Sequence, residues 1–346
     1  MANVCLPWSE AISVLHPPVK VGAMTTMLEL ADKVATEADA YRWLEELRWP
    51  YGVQCPHCHG TEVALMVPKN GVSRKTTNGS MTQRRVWQCR PCRKQFSAIS
   101  GTVMHGTKAS VRVWCMVIFQ MIGAKNGISA REVSRQHGIC PRTAWFMLHR
   151  IRETMRTDPL ISTMQGIIVA DETYVGGTPA NRHRSAPGAT SKAGRGTEKT
   201  PIMSLIHART GEVRSRVMPT VDSTNVAKVL SEHVNIGGSV LWTDEGSWFK
   251  PVGRQFLLHE TVNHAQDEYV GPIGQTINRA ENYFSQFKRS LDGTFHHVSK
   301  EHLQRYVDEF DFRYTTCKAS DTERMGVAVR RGDGKRLTYK RVKRFG

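Results

Sequence analysis

Two apolar runs in this sequence end in acidic residues, and this repeated pattern constrains the fold more than any other feature. The first run is "GIIVADETYVGG" at residues 166–177, in which Asp171 and Glu172 follow four small or branched apolar residues. The second is "GSVLWTDEGSWF" at residues 238–249, in which Asp244 occupies the same place. Short apolar runs bounded by glycine are typical of buried strands. The pattern predicts two strands of one α/β sheet with carboxylates at one edge, where ligands bind in such sheets.

A third carboxylate is expected to reach this edge from a helix. The stretch "NRAENYFSQFKRSL" at residues 278–291 has an apolar stripe with spacings of four, three and four, formed by Ala280, Phe284, Phe287 and Leu291. Such a stripe is typical of a helix that buries one side. Because Glu281 stands beside the stripe, it can face the sheet edge while the helix is packed.

Three carboxylates in one place repel one another unless a cation compensates their charge. Magnesium prefers oxygen ligands, and two such ions about 4 Å apart can activate an attacking hydroxyl and stabilise a leaving oxygen at a phosphodiester. We therefore expect Asp171, Asp244 and Glu281 to bind Mg²⁺ or Mn²⁺. Glu172 and Glu245 are interpreted as hydrogen-bonding or exposed neighbours of this site.

Four of the eight cysteines form two C-x-x-C pairs, Cys55 with Cys58 and Cys89 with Cys92. Tetrahedral zinc needs four ligands, and each such pair presents two thiolates to one ion. The pairs predict a zinc ribbon over residues 55–107 with one structural Zn²⁺, and the polar stretch between them is interpreted as an inserted hairpin or loop. Redox-active thiols are the alternative, which a second pair makes less favourable.

The formal net charge of +17 indicates a polyanionic partner, with nucleic acid favoured. Residues 108–157 are predicted to be helical and to contain a helix-turn-helix, because Gly138 ends one short helix and Pro141 opens a basic one. An ordinary helical hairpin is the alternative. The candidate DNA-binding residues are Arg142, Arg150 and Arg152 in this region and Arg289 on the helix of Glu281.

The remaining segments complete the expected organisation. Residues 1–26 are predicted to be a loose extension, residues 27–54 a helical segment and residues 318–346 a basic C-terminal tail. The glycine-rich, basic stretch at 178–200 is predicted to be a mobile loop. No apolar run reaches the ~18 residues that a membrane span needs. The start of the sequence is a poor signal peptide, so a cytoplasmic location is expected.

Several stretches together resemble a known family. They include "RWPYGVQCPHC", "FSAISGTVMHGTK", "DETYVGG", "TDEGSWF" and "ENYFSQFKRSLDGTFHHVSKEHLQRYVDEFDFRY". With these stretches the chain resembles DDE transposases of the bacterial ISXO-like insertion-sequence group. The resemblance implies an RNase H-like (retroviral-integrase-like) catalytic domain at residues 163–317, with a mixed sheet and flanking helices. It also implies Asp171, Asp244 and Glu281 as the catalytic acids, and it adds Lys288.

The activity implied by this resemblance is DNA transposition. Such a protein binds double-stranded DNA at the terminal repeats of the element, cleaves it, and joins the 3′-hydroxyl ends to target DNA, as a homo-oligomer assembled on the ends. Two other functions stay open from the sequence. One is an RNase H-like nuclease without strand transfer. The other is an inactive or non-enzymatic DNA-binding protein that uses the zinc ribbon and the helix-turn-helix.

Overall fold

The computed structural model describes residues 26–67, 84–157, 162–176, 199–262 and 276–339. The predicted extension before residue 26, most of the stretch between the cysteine pairs and nearly all of the predicted loop at 178–200 lie outside these ranges. The chain divides into two compact units, Met1–Met155 with Cys317–Arg344, and Arg156–Thr316 with the last two residues. None of the described helices is long and apolar enough to cross a lipid bilayer.

The helices and strands of the described residues are numbered here in chain order. The helices are α1 Met27–Lys33, α2 Glu37–Arg48, α3 Val111–Gly123, α4 Ala130–His137, α5 Pro141–Met155, α6 Ser223–His233, α7 Lys250–Gly253, α8 Asn278–Ser290, α9 Lys300–Thr315 and α10 Asp321–Arg331. The strands are β1 Val63–Leu65, β2 Trp87–Cys89, β3 Gln95–Phe96, β4 Ile167–Val175, β5 Thr200–His207, β6 Val213–Val217, β7 Val240–Asp244 and β8 Leu258–Val262.

The first unit combines a small antiparallel sheet with helices. The sheet has the order β1-β2-β3 and carries the cysteine pairs at its turns. It is attached to α2 through Glu45, whose carboxylate accepts a 2.9 Å hydrogen bond from the indole of Trp87. The two helices of the predicted helix-turn-helix are α4 and α5, and Gly138 between them has the positive φ of 62° that ends α4.

The C-terminal segment differs from the predicted basic tail. Helix α10 is preceded by Ser320, which forms a capping box with Glu323, and it buries Met325, Val327 and Ala328. It packs against α2, α3 and α5 of the first unit. The difference arises because the high density of basic residues near the end of the chain obscures an apolar stripe that can cover the earlier helices.

The second unit is built on a mixed five-stranded sheet of order β6-β5-β4-β7-β8. The first three strands of the unit are antiparallel neighbours, whereas β7 and β8 run parallel to β4. This order and these directions confirm the expected RNase H-like arrangement. They place β4, the strand of the first acidic run, in the centre of the sheet beside β7, the strand of the second.

Helices cover both faces of this sheet. One face buries Ile168 and Ala170 of β4 with α6 and α7. The other buries Val169 of β4 with α8 and α9. Because successive residues of a strand point to opposite faces, this division also decides which helix each polar residue of β4 faces.

Candidate active site

Two neighbouring strands bring two aspartates together. Strands β4 and β7 are paired in parallel with Val169 opposite Trp242, so Asp171 and Asp244 each stand two positions further along. Val169 and Trp242 pack on the side of α8, and residues two apart on a strand share a face. The aspartates therefore lie side by side on the face that α8 covers. Asp244 ends β7 as predicted, whereas Asp171 lies in the middle of β4, because this strand continues to Val175 through its pairing with β5.

Glu172 adds a third carboxylate to this pair. One carboxylate oxygen from each of Asp171, Glu172 and Asp244 lies within 4.8 Å of the other two. The backbone N–H of Glu172 also donates a 2.7 Å hydrogen bond to Oδ1 of Asp171. From the sequence, Glu172 is expected only to neighbour the site. The structure instead brings its carboxylate into the acidic group, although the alternation of β4 gives position 172 the same face as Ile168 and Ala170.

A tight turn after β7 holds the carboxylate of Asp244. The backbone N–H of Gly246 donates a 3.0 Å hydrogen bond to Oδ1 of Asp244. A Cβ atom at position 246 would lie 2.9 Å from this oxygen and 2.6 Å from the ring of Trp248. Only glycine allows this approach without displacing a neighbour. The stretch "TDEGSW" contains the signal, a glycine two positions after the acid, but sequence reasoning assigns it no role.

Glu281 and Lys288 approach the site from α8, where both are exposed. The pKa of Asp171 is raised to about 7, first by burial and then by the charge of Asp244, and Glu281 adds to the increase. The N–H of Glu172 and the charge of Lys288 act in the opposite direction. Glu281 and Lys288 thus lie near enough to influence Asp171. Within the described residues, however, Glu281 is not a member of the group within 4.8 Å.

The acidic group is suited to a divalent cation. Its donors are carboxylate oxygens, the ligands that magnesium and manganese prefer. The pKa of Asp171 is raised because burial, and then the charges of Asp244 and Glu281, disfavour its charged form. A divalent ion would remove this repulsion, so the residues present fit such an ion.

The four paired cysteines converge in the first unit. The sulfur atoms of Cys55 and Cys92 are 3.6 Å apart, and those of Cys58 and Cys89 are 3.5 Å apart. Ligands about 2.3 Å from a tetrahedral zinc ion are separated by about 3.8 Å, close to these distances. All four sulfurs lie within 4.8 Å of one another. The cluster therefore fits one structural zinc ion, as the sequence predicts.

Two of the predicted DNA-binding arginines are inside the protein, and this corrects the prediction. Arg150 is 6% exposed and Arg152 is 2% exposed. Arg150 donates a 2.8 Å hydrogen bond to the carbonyl of His105, its guanidinium lies over the ring of Trp114, and burial lowers its pKa to about 10. The reason is that α3, α4 and α10 all pack against α5, so little of this helix remains for a ligand.

The exposed basic residues of the helix-turn-helix region lie nearer its turn. Arg142, at the start of α5, is exposed, and its guanidinium stands 4.3 Å from the ring of Tyr339. Arg131 and Arg135, four positions apart on α4, are also exposed. Sequence reasoning did not single out these two, although residues four apart share a helix face.

Arg289 follows Lys288 on α8 in the second unit. It is exposed, and its guanidinium donates a 3.1 Å hydrogen bond to the hydroxyl of Ser285. Since Glu281, Ser285 and Lys288 are three or four positions apart, they share one side of the helix. This side carries both an acid and two basic residues, and it flanks the apolar stripe, which lets Glu281 and Lys288 influence Asp171.

Comparison with known proteins identifies two domains. Residues 163–315 match the family model of the ISXO2-like transposase domain. Residues 35–95 match that of the transposase zinc-ribbon domain. The first match contains the acidic group and α8, and the second contains all four clustered cysteines.

One curated relative and several solved structures are similar to the chain. An uncharacterised protein in transposable element ISH50 of Halobacterium salinarum is 24% identical over 286 residues, which cover 80% of this chain and 90% of the relative. The Mos1 transposase paired-end complex with left transposon end has a TM-score of 0.26 at 11% identity, with 62% of this chain and 76% of that chain covered. The Mos1 strand transfer complex has a TM-score of 0.21 at 14% identity, with 57% and 74% covered.

Proposed function

We propose that this chain is a transposase of the ISXO2-like family, and that it cleaves DNA at the ends of its insertion sequence and joins the released ends to target DNA. The observation that carries the proposal is the convergence of Asp171 and Asp244 on neighbouring strands beneath the helix of Glu281. A DNA-binding protein without catalytic activity has no need of such a group, since its burial and mutual repulsion are unfavourable.

Asp171, Asp244 and Glu281 would hold Mg²⁺ or Mn²⁺ in this reaction. When bound, such ions activate the attacking oxygen at a phosphodiester and stabilise the leaving one. Glu172, which lies in the same acidic group, orients Asp171 through its backbone N–H. Gly246 orients Asp244 in the same way. These two amides keep the carboxylates in a defined geometry before substrate arrives.

The proposed reaction has two transfers at phosphorus. In the first, a water oxygen bonds to phosphorus at the element end and loses a proton, the bond from phosphorus to the 3′ oxygen breaks, and that oxygen takes up a proton. In the second, this 3′-hydroxyl oxygen bonds to phosphorus in the target strand and loses its proton, while the target's own 3′ oxygen leaves and takes one up. Lys288 and Arg289, exposed about two turns after Glu281 on α8, are suited to contact phosphates of the strand being cut.

The first unit supplies the proposed binding to element ends. Its cysteine cluster would hold Zn²⁺, which stabilises a ribbon too small to have a large core of its own. Its exposed basic residues near the turn between α4 and α5 provide positive charge for the DNA backbone. Double-stranded DNA is thus the proposed partner, and a homo-oligomer is the proposed assembly on paired ends.

The deciding experiment uses the full chain with zinc, labelled DNA from the flanks of its gene, and a supercoiled target plasmid. Transposition predicts Mg²⁺-dependent cuts at the element ends and covalently joined products. Cuts without joined products would support a nuclease instead. End binding without cuts, in either Mg²⁺ or Mn²⁺, would contradict an enzymatic function.

A further inference from the structure

A buried hydrogen-bond network connects the sheet of the second unit to α8 and α9. Its centre is the carboxylate of Asp311 on α9, whose side chain is almost wholly buried. This carboxylate accepts a 2.6 Å hydrogen bond from the backbone N–H of Ser215 and a 2.7 Å hydrogen bond from the Ser215 hydroxyl. It accepts a third, also 2.7 Å long, from the hydroxyl of Tyr283 on α8.

The network continues across the sheet toward the acidic group. The hydroxyls of Ser215 on β6 and Ser204 on β5 are 2.8 Å apart, and the two residues are directly opposite each other. Ser204 is in turn directly opposite Asp171 on β4. Asp171, Ser204 and Ser215 thus form one row across three strands, on the face that α8 covers.

The other end of the network lies next to Glu281. Tyr283 is only two residues further along α8, is 2% exposed and stacks on Phe287 at 6.3 Å. Apart from Ser290, whose hydroxyl donates within α8, the rest of the buried side of α8 is apolar, and apolar contacts are not directional. A helix that slipped by one residue would move about 1.5 Å and rotate about 100°. The apolar stripe already opposes such a rotation, and the Tyr283 hydroxyl adds a directional contact that opposes the smaller shifts that apolar contacts tolerate.

Stability alone does not explain an acid at the centre of this network. Burial raises the pKa of Asp311, which means that its charged form is disfavoured, although the hydrogen bonds oppose this effect. Replacing buried charged groups by well-packed apolar residues is often neutral or stabilising. A buried polar network that is fully hydrogen-bonded does, however, specify a unique packing.

We propose that Tyr283 is a positioning residue, whose hydrogen bond to Asp311 and thereby to Ser215 fixes α8 so that Glu281 faces Asp171 and Asp244. The proposal deepens the proposed function and rests on it for the role of Glu281. Reactive groups must be placed accurately, since a misplacement of about 1 Å can reduce a rate about 100-fold.

The test compares Tyr283→Phe with Ser290→Ala in the full zinc-containing chain. The first variant removes one hydroxyl from the network and keeps the ring. The second removes a buried hydroxyl of the same helix that donates only to the carbonyl of Gln286 within α8. Three quantities are measured for each variant: the unfolding temperature, the affinity for Mn²⁺ by electron paramagnetic resonance, and the single-turnover rate of end cleavage at saturating DNA.

We expect Tyr283→Phe to remain folded, to bind Mn²⁺ about 10-fold more weakly and to cleave about 10- to 100-fold more slowly. Ser290→Ala should match the parent in both Mn²⁺ affinity and rate. Parental Mn²⁺ affinity and rate in a folded Tyr283→Phe variant would overturn the proposal. If Tyr283→Phe does not fold, Ser215→Ala is measured instead, because the backbone N–H of Ser215 still donates to Asp311 in that variant. Parental Mn²⁺ affinity and cleavage rate in Ser215→Ala would then overturn the proposal.

Two outcomes separate this proposal from the proposed function. An inactive parent whose Mn²⁺ affinity depends on Tyr283 would support the positioning role and contradict transposition. An active parent that loses activity in Glu281→Gln but not in Tyr283→Phe would overturn the positioning role alone.

Discussion

The backbone N–H of Gly246 donates a hydrogen bond to Oδ1 of Asp244 across a turn that leaves no room for a side chain at position 246. Gly246→Ala would push a methyl group against Trp248 and the carboxylate, and we expect a folded protein that cleaves DNA at least about 10-fold more slowly. The control is Gly237→Ala, since a Cβ there meets nothing within 4 Å. Equal cleavage rates for Gly246→Ala and the parent would show that the turn does not position Asp244.

The acidic residues should separate into essential and supporting groups. Asp171→Asn, Asp244→Asn and Glu281→Gln are each expected to lower the cleavage rate by several orders of magnitude, because they act as a unit. End binding, measured by gel shift, should persist because the proposed DNA-binding elements belong to the other unit.

Glu172→Gln is the matched control for these variants. The pleat of β4 directs position 172 to the α6 side, and its backbone N–H remains bonded to Asp171 after the substitution. We expect a loss of no more than about 10-fold. An inactive Glu172→Gln variant beside an active Glu281→Gln variant would make Glu172, and not Glu281, the third catalytic acid.

Zinc content should follow the four clustered cysteines. Cys89→Ser removes one of four ligands from a closed site, so elemental analysis should find much less than the parent's roughly one zinc per chain. Cys140 is exposed and lies outside the cluster, so Cys140→Ser should keep the full content. Full zinc in Cys89→Ser would contradict a four-cysteine site.

The arginines of α4 and α5 should fall into two classes. Arg142→Ala and Arg131→Ala should weaken end binding and reduce its salt dependence without lowering the unfolding temperature, because both side chains are exposed. Arg150→Ala should instead destabilise the first unit by about 1–3 kcal/mol, since it leaves the His105 carbonyl without its donor. Thermal unfolding and DNA titration on the same samples distinguish the classes. A fully stable Arg150→Ala variant with lost DNA binding would contradict this division.

Burial of His233 should make the second unit sensitive to acid. Burial, followed by the charges of Arg216 and Arg214, lowers the pKa of His233 to about 3. The unfolded chain takes up this proton near pH 6.5. The contribution of neutral His233 to the free energy of unfolding is therefore complete above about pH 6.5, and it is lost as the pH falls toward about 3.

His233→Leu removes this group while keeping an apolar side chain in the buried position. We expect its free energy of unfolding to fall less steeply than that of the parent between about pH 6 and pH 4, by up to about 1.4 kcal/mol per pH unit. The exposed His297→Leu serves as control. Identical slopes for His233→Leu and the parent, from denaturant titrations at each pH, would rule out this contribution.

Much of the site was predictable because its signals are local in the sequence. The two apolar runs ending in Asp171 and Asp244 specify strands, and the alternation of a strand places both acids on one face. The spacing of Cys55, Cys58, Cys89 and Cys92 likewise specifies the zinc-binding cluster. Each pattern depends on the geometry of a single element or turn, which a short stretch of sequence determines.

Only the tertiary structure decided which sides of these elements are covered. From the sequence alone, Arg150 and Arg152 resemble ligand-binding residues. In the structure three helices pack around α5 and both arginines are buried, and one of these helices is α10 from the C-terminal part of the chain. The contacts of Tyr283 with Asp311 and of Ser204 with Ser215 join four separate elements, so no local pattern contains them. Burial and hydrogen-bond partners depend on contacts between distant segments, whereas the periodicity of a sequence reports only which side of one element is apolar.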